Sequence, residues 1–122
     1  MNQTVRAHLI EIARKSKTIT YQELSDQCKL GLVMRESEFA RAEIGRIIGD
    51  ISKYEHSKQR PLISSLVIGK WDSAQGDGFY RISEELGFGN WKKLKADISF
   101  EIGQMNACYS FWKDDTNYIK YK

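Results

Sequence analysis

A chain of 122 residues forms one domain and can bury roughly two-thirds of the surface its unfolded form exposes. Its hydrophobic fraction of 41% and charged fraction of 29% exclude a disordered or membrane-embedded class, and a net charge of +3 does not by itself announce a polyanionic partner. No apolar run reaches the ~18 residues of a bilayer span, and "MNQTVRAHLIEIARKSK" lacks a signal-peptide pattern, so the expectation is a soluble cytoplasmic protein with no membrane partner.

In chain order, Val5, Leu9, Ile12 and Ala13 at helical spacing predict a helix from about residue 3 to 16, with Arg6, Glu11, Arg14 and Lys15 on its polar side. "KTIT" reads as a short extended piece. Thr20 and Glu23 form a capping-box signature that opens a second, short helix ending before Gly31. Glu36 or Ser37 opens a third through about residue 57, with Ala40, Ile44, Ile47, Ile48, Ile51 and Tyr54 on its apolar face. Gly45 and Gly49 sit one turn apart on that helix. Each costs about 1 kcal/mol against alanine, so the pair predicts a close neighbour there.

Pro61, the single proline, ends that region. "LISSLVI" then predicts a strand and "GFYRI" its partner, with "GKWDSAQGDG" as the exposed wing loop between them. "SEELG" reads as a short helix closed by Gly87. A long last helix is expected over residues 90–113, striped by Leu94, Ile98, Ile102, Met105, Tyr109 and Trp112, while the final eight residues have no firm period. The fold class expected is mainly α with a small β ribbon: one winged-helix-like domain over residues 1–122, motif-bearing over 18–80, with a long C-terminal helix. Its expected core is Leu9, Ile12, Leu24, Ile44, Ile48, Ile51, Leu66, Ile68, Phe79, Leu86, Leu94, Ile98 and Met105.

No catalytic, cofactor or metal site is expected. His8 and His56 have no metal-spaced partners, and Cys28 and Cys108 match no zinc or redox spacing and read as two reduced thiols. Ser64 and Ser65 lack a nucleophile elbow and read as alternating strand residues, and "GDG" at 76–78 reads as a turn. Positive charge concentrates at the two ends. Residues 1–20 carry four basic against one acidic side chain, and residues 91–122 six against four. The third helix interleaves Arg41, Arg46 and Lys53 with Glu38, Glu43, Asp50 and Glu55, and the wing sets Asp72 and Asp77 against Lys70. Acids beside bases repel phosphate, whereas alternating signs suit a protein partner. Trp71 in the wing loop is expected to be exposed, as interface aromatics are.

Three stretches carry a resemblance. "TITYQELS" at 18–25, "ARAEIGRII" at 40–48 and "RPLISSLVI" at 60–68, followed by Gly78 and Phe79, resemble in order the motifs of the DNA-binding domain of alkylguanine DNA alkyltransferases and of alkyltransferase-like proteins. The second has one residue more than the family run. The family's nucleophilic cysteine, histidine and arginine are replaced by Leu62, Ile63 and Ser64, so the resemblance implies the fold without the chemistry, which needs an activated thiolate. The arrangement "ITY-x-EL … PL-x-S-x-L-V … G-x-GF" is also similar to small bacterial proteins that include immunity proteins of contact-dependent growth inhibition.

The leading expectation is a non-enzymatic protein-binding module, an immunity protein that neutralises a cognate toxin domain by stoichiometric binding. Its partner-binding residues are Tyr21, Arg41, Arg46, Asp50, Lys53, Lys70, Trp71, Asp72 and Asp77. The alternative is an alkyltransferase-like DNA- or RNA-binding protein with Tyr21, Arg41 and Arg46 at the nucleic acid.

Overall fold

The computed structural model describes the backbone of residues 1–122 and every side chain except that of Glu36. It is mainly helical. The order is α1 (Gln3–Arg14), β1 (Ile19–Thr20), α2 (Tyr21–Gln27), a single 3-10 turn (Met34–Glu36), α3 (Glu38–Ser57), a second 3-10 turn (Ile63–Leu66), β2 (Val67–Ile68), α4 (Asp77–Glu85), α5 (Trp91–Ala96), α6 (Ile98–Lys113) and α7 (Asp115–Tyr121). No helix is long and apolar enough to cross a membrane.

Local chemistry sets most of the boundaries. The Asn2 side chain caps α1 through the Val5 amide, and Ser37 caps α3 through that of Ala40. At α2 both halves of the capping box are made: Thr20 Oγ1 accepts from the Glu23 amide at 3.1 Å, and Glu23 Oε1 accepts from the Thr20 amide at 3.2 Å. Gly87, at φ 96°, follows α4 in the left-handed conformation that glycine adopts without steric cost.

The expected β ribbon is not formed. Among the described residues the sheet has two strands, β1 and β2, paired in parallel with Ile19 opposite Val67 and Thr20 opposite Ile68. "GFYRI" lies instead in α4, which buries Phe79, Tyr80 and Ser83 on one side. Most of "LISSLVI" is a buried 3-10 turn in which Ser64 and Ser65 both face inward rather than alternating. Ser52 Oγ donates to Ser64 Oγ at 2.6 Å and accepts from the Ser64 amide at 2.9 Å, so the turn's polar groups are satisfied against α3. The expected helix over 90–113 is two helices. Asp97 leaves helical geometry and caps α6 through the Ser99 amide, which turns Ile98 outward to 66% exposure instead of into the core. The final residues form α7, capped by Asp114 through the amide of Asn117.

The main core gathers Val5, Leu9, Ile10 and Ala13 of α1, Leu24 of α2, Ile44, Ile48 and Ile51 of α3, Ile63, Leu66 and Val67, and Cys108 and Trp112 of α6. A second cluster, of Leu62, Phe79 and Tyr80, is covered by Leu86, Trp91, Leu94 and Phe100. Ile12, Leu86, Leu94 and Met105, all expected in the core, are partly buried around these clusters. Arg6 departs from its expected polar face. It is 5% exposed and bonds to fully buried Glu55.

Candidate functional site

A groove opens between α2, α3 and α4. It has a volume of about 1090 Å³, and its walls come from the start of α2, the 31–37 loop, the first half of α3, the 69–76 loop and the start of α4. That is at the upper end of small-ligand pockets. Its floor is apolar or small: Ala42, Ile44, Gly45, Ile48 and Gly49 of α3 face Phe79 and Ile82 of α4. The two α3 glycines do different things. A Cβ at Gly49 would fall 2.3 Å from Ile82 Cδ1, so α4 approaches closely there, whereas one at Gly45 would meet nothing within 4 Å.

Two ties hold the walls. The amide of Gly76 donates to Tyr21 Oη at 2.9 Å, and a Cβ at Gly76 would lie 3.0 Å from that oxygen, so the 69–76 loop reaches α2 because position 76 is glycine. Burial pushes the Tyr21 hydroxyl above its ordinary pKa, the Gly76 hydrogen bond opposes that, and the charge of Asp72 adds to it. On the other wall, Gln22 accepts from the Met34 amide and donates to the Leu32 carbonyl, both at 2.9 Å, while Ser25 Oγ bonds both backbone groups of Leu32 at 3.0 Å. Arg41 reaches back to the Met34 carbonyl.

Of the nine residues expected at a partner surface, the groove collects Tyr21, Arg41, Arg46, Lys70 and Trp71. The other four lie outside its lining. Lys53 pairs with Glu85 at 3.1 Å, Asp77 with Lys95 at 2.6 Å, and Asp72 closes the loop by accepting from the Ala74 amide at 3.1 Å. Asp50 stands at the rim and, with Glu43, holds Arg46. The same contact, chiefly the Arg46 hydrogen bond, keeps the Glu43 carboxyl below its usual range.

Among the described residues the lining bears Arg35, Arg41, Arg46, Lys70 and Arg81 with the acid Asp26, and Glu43 and Asp50 hold Arg46. Sequence reasoning missed Arg81, because "GFYRI" read as a strand; it stands on the groove side of α4, its guanidinium 4.2 Å from the Trp91 ring. It also missed the floor, for which Ala42, Gly45 and Gly49 at helical spacing were the available signal. Trp71 is 90% exposed at the groove's edge, with Lys70 Nζ 5.1 Å from its ring centre.

Residues 62–64 do structural work. Leu62 and Ile63 are core residues, and Ser64 reaches the groove wall but is held by Ser52. Cys108 is fully buried, its Sγ 3.4 Å from the Leu62 carbonyl, and burial pushes its pKa up to about 12. Cys28 is partly exposed, and burial raises its pKa too. Comparison of the chain with protein-family models, with curated proteins and with solved structures finds no match.

Proposed function

We propose that this protein is a non-catalytic nucleic-acid-binding domain, whose α2–α3 pair and 69–76 loop offer the groove to a DNA or RNA strand. The single observation that carries this reading is the groove lining: Arg41, Arg46, Lys70 and Arg81 around an apolar floor, with Tyr21 and exposed Trp71 at its edges. Cations match phosphate, and aromatic rings accept a base without regard to sequence. Of the acids that argued against nucleic acid in the sequence, Asp77 pairs with Lys95 and Glu55 is fully buried, while Glu43 and Asp50 offset Arg46 alone and Asp72 acts on Tyr21. A non-enzymatic role is favoured by Leu62 at the acceptor position and by a Cys108 thiol held neutral. Two unpaired cysteines suit the cytoplasm.

The test is fluorescence anisotropy with labelled single- and double-stranded oligonucleotides across a salt series. Log affinity should fall linearly with log salt, with slopes of about −0.9 per phosphate contact on duplex and −0.7 on single strands, hence roughly −2 to −4.5 for three to five contacts. Absence of binding at low salt removes this reading.

A second reading, a toxin-neutralising immunity protein, is favoured by Trp71 at 90% and Phe39 at 72% exposure, and by the Glu43–Arg46–Asp50 cluster, features that suit a protein contact. Co-migration on size exclusion with a toxin domain encoded immediately upstream supports it, and separate elution rejects it.

A further inference from the structure

On the side of the molecule built by α1, the C-terminal end of α3 and α7, two arginines share one carboxylate. Arg6 Nε donates to Glu55 Oε1 at 3.0 Å, and Arg60 Nε donates to Glu55 Oε2. All three side chains are buried: Glu55 is 0%, Arg6 5% and Arg60 8% exposed. Arg6 also donates to the Tyr121 carbonyl at 2.7 Å, which ties α7 to α1. That strap accounts for Arg6 and Glu55.

It does not account for the rest of Arg60. The guanidinium carbon lies 5.3 Å from the Tyr54 ring centre and 5.2 Å from that of Tyr121. With Nε fixed by Glu55 and two rings beside it, the group is immobilised before any ligand arrives. Its two terminal nitrogens have no hydrogen-bond partner. The fully buried polar side-chain atoms left without one, among the described residues, are Glu101 Oε2 and Trp112 Nε1, so those nitrogens reach solvent. Lys58 and Lys120 stand over the same two rings, with Nζ 6.0 Å from Tyr54 and 5.3 Å from Tyr121. Two cations thus share the Glu55 carboxylate, and two more stand over the rings beside Arg60.

We propose that Arg60, flanked by Lys58 and Lys120, is an oxyanion-binding site that takes a phosphate monoester group. An ordered guanidinium fork matches two phosphate oxygens at once, and the ordering entropy that usually weakens such contacts is already spent. The excess of cations over this one carboxylate is met better by a dianion than by a lone carboxylate. This site uses the end of α3 remote from the Arg41–Gly49 stretch that lines the groove, and it does not depend on what the groove binds.

The test is thermal unfolding of the full chain with inorganic phosphate and, separately, phenyl phosphate, each against sodium chloride at matched ionic strength. A ligand that binds only the folded state raises Tm with concentration. The expected result is a saturable rise with phosphate beyond that with chloride. It should be weakened at least tenfold in apparent affinity by Lys58→Gln/Lys120→Gln, which leaves the buried pairs intact, and abolished by Arg60→Lys. A stronger response to phenyl phosphate assigns the source as an aryl ester, and an equal response assigns the bare phosphate group. Identical responses to phosphate and chloride overturn the proposal, as does an unchanged phosphate response in the double lysine variant. Should Arg60→Lys fail to fold, the lysine variant decides.

Discussion

Gly45 separates the groove's binding role from its role in the fold. It lies in the interior of α3, has no positive φ, and a Cβ built on it meets nothing within 4 Å. Gly45→Ala should therefore recover the full helix-propensity difference, about 1 kcal/mol. With an unfolding entropy of ~2.1 cal/mol/K per residue over this length, that is a rise in Tm of about 4 °C. Gly45→Glu should gain nearly as much stability, because its side chain also enters open space, but it places a carboxylate among Arg41, Arg46 and Arg81. At about 7 Å from a bound phosphate and an effective dielectric constant near 40, that charge repels by about 1.2 kcal/mol, or roughly tenfold in affinity. Thermal melts followed by circular dichroism and the oligonucleotide titration read the two effects separately. A Gly45→Glu protein that is more stable and binds like the wild type refutes the groove as the binding site. A Gly45→Ala protein that melts lower refutes the geometry assigned to that face.

Gly49→Val is expected to do the opposite of Gly45→Ala, lowering stability by about 1–3 kcal/mol in denaturant titration, since its Cβ falls on Ile82 and adds branched bulk; a neutral result would mean that α4 does not cross there. Glu55→Gln leaves Arg6 and Arg60 without their buried counter-charge and should cost about 3–5 kcal/mol, a fall in Tm of more than about 10 °C. For the thiols, native protein at pH 8 should take up one equivalent of an aromatic disulfide reagent, at Cys28, and a second only in denaturant; rapid native labelling of both contradicts the burial of Cys108. The Cys108 thiol ionises near its ordinary value once unfolded but stays neutral to about pH 12 when folded, so its contribution is complete below about pH 9 and is lost as pH rises from there to 12. Wild-type stability should therefore fall more steeply than that of Cys108→Ala over that window.

What the sequence made legible is what local chemistry decides. The capping box at Thr20–Glu23, the Ser37 cap and the apolar face of α3 need only neighbours within one turn, and they stand in the structure where the residues placed them. Misreadings arose where burial overrode local preference. "LISSLVI" has the composition of a strand, but the hydroxyls of Ser52 and Ser64 let a tight turn be buried against α3 instead. "GFYRI" has strand-forming residues too, yet Asp77 opens a helix in which Phe79, Tyr80 and Ser83 share one side. The break at Asp97, where the side chain caps the Ser99 amide, was hidden by the apolar stripe running across it. The groove was half legible. Its cations on α3 and the exposure of Trp71 follow from the sequence, but that Arg81 joins them, and that Asp77 pairs with Lys95, depends on tertiary placement.

The packing of α6 against α1 bears on how the chain matures at the ribosome. Val5, Leu9 and Ala13 share a core with Cys108 and Trp112, and the Arg14 guanidinium bonds to the Trp112 carbonyl across 98 positions of sequence. At about 5–20 residues per second, the first helix waits several seconds for its cover to be synthesised. Until then its apolar side is open to chaperones, and a nascent chain stalled before residue 108 should remain protease-sensitive throughout the length that has left the ribosome.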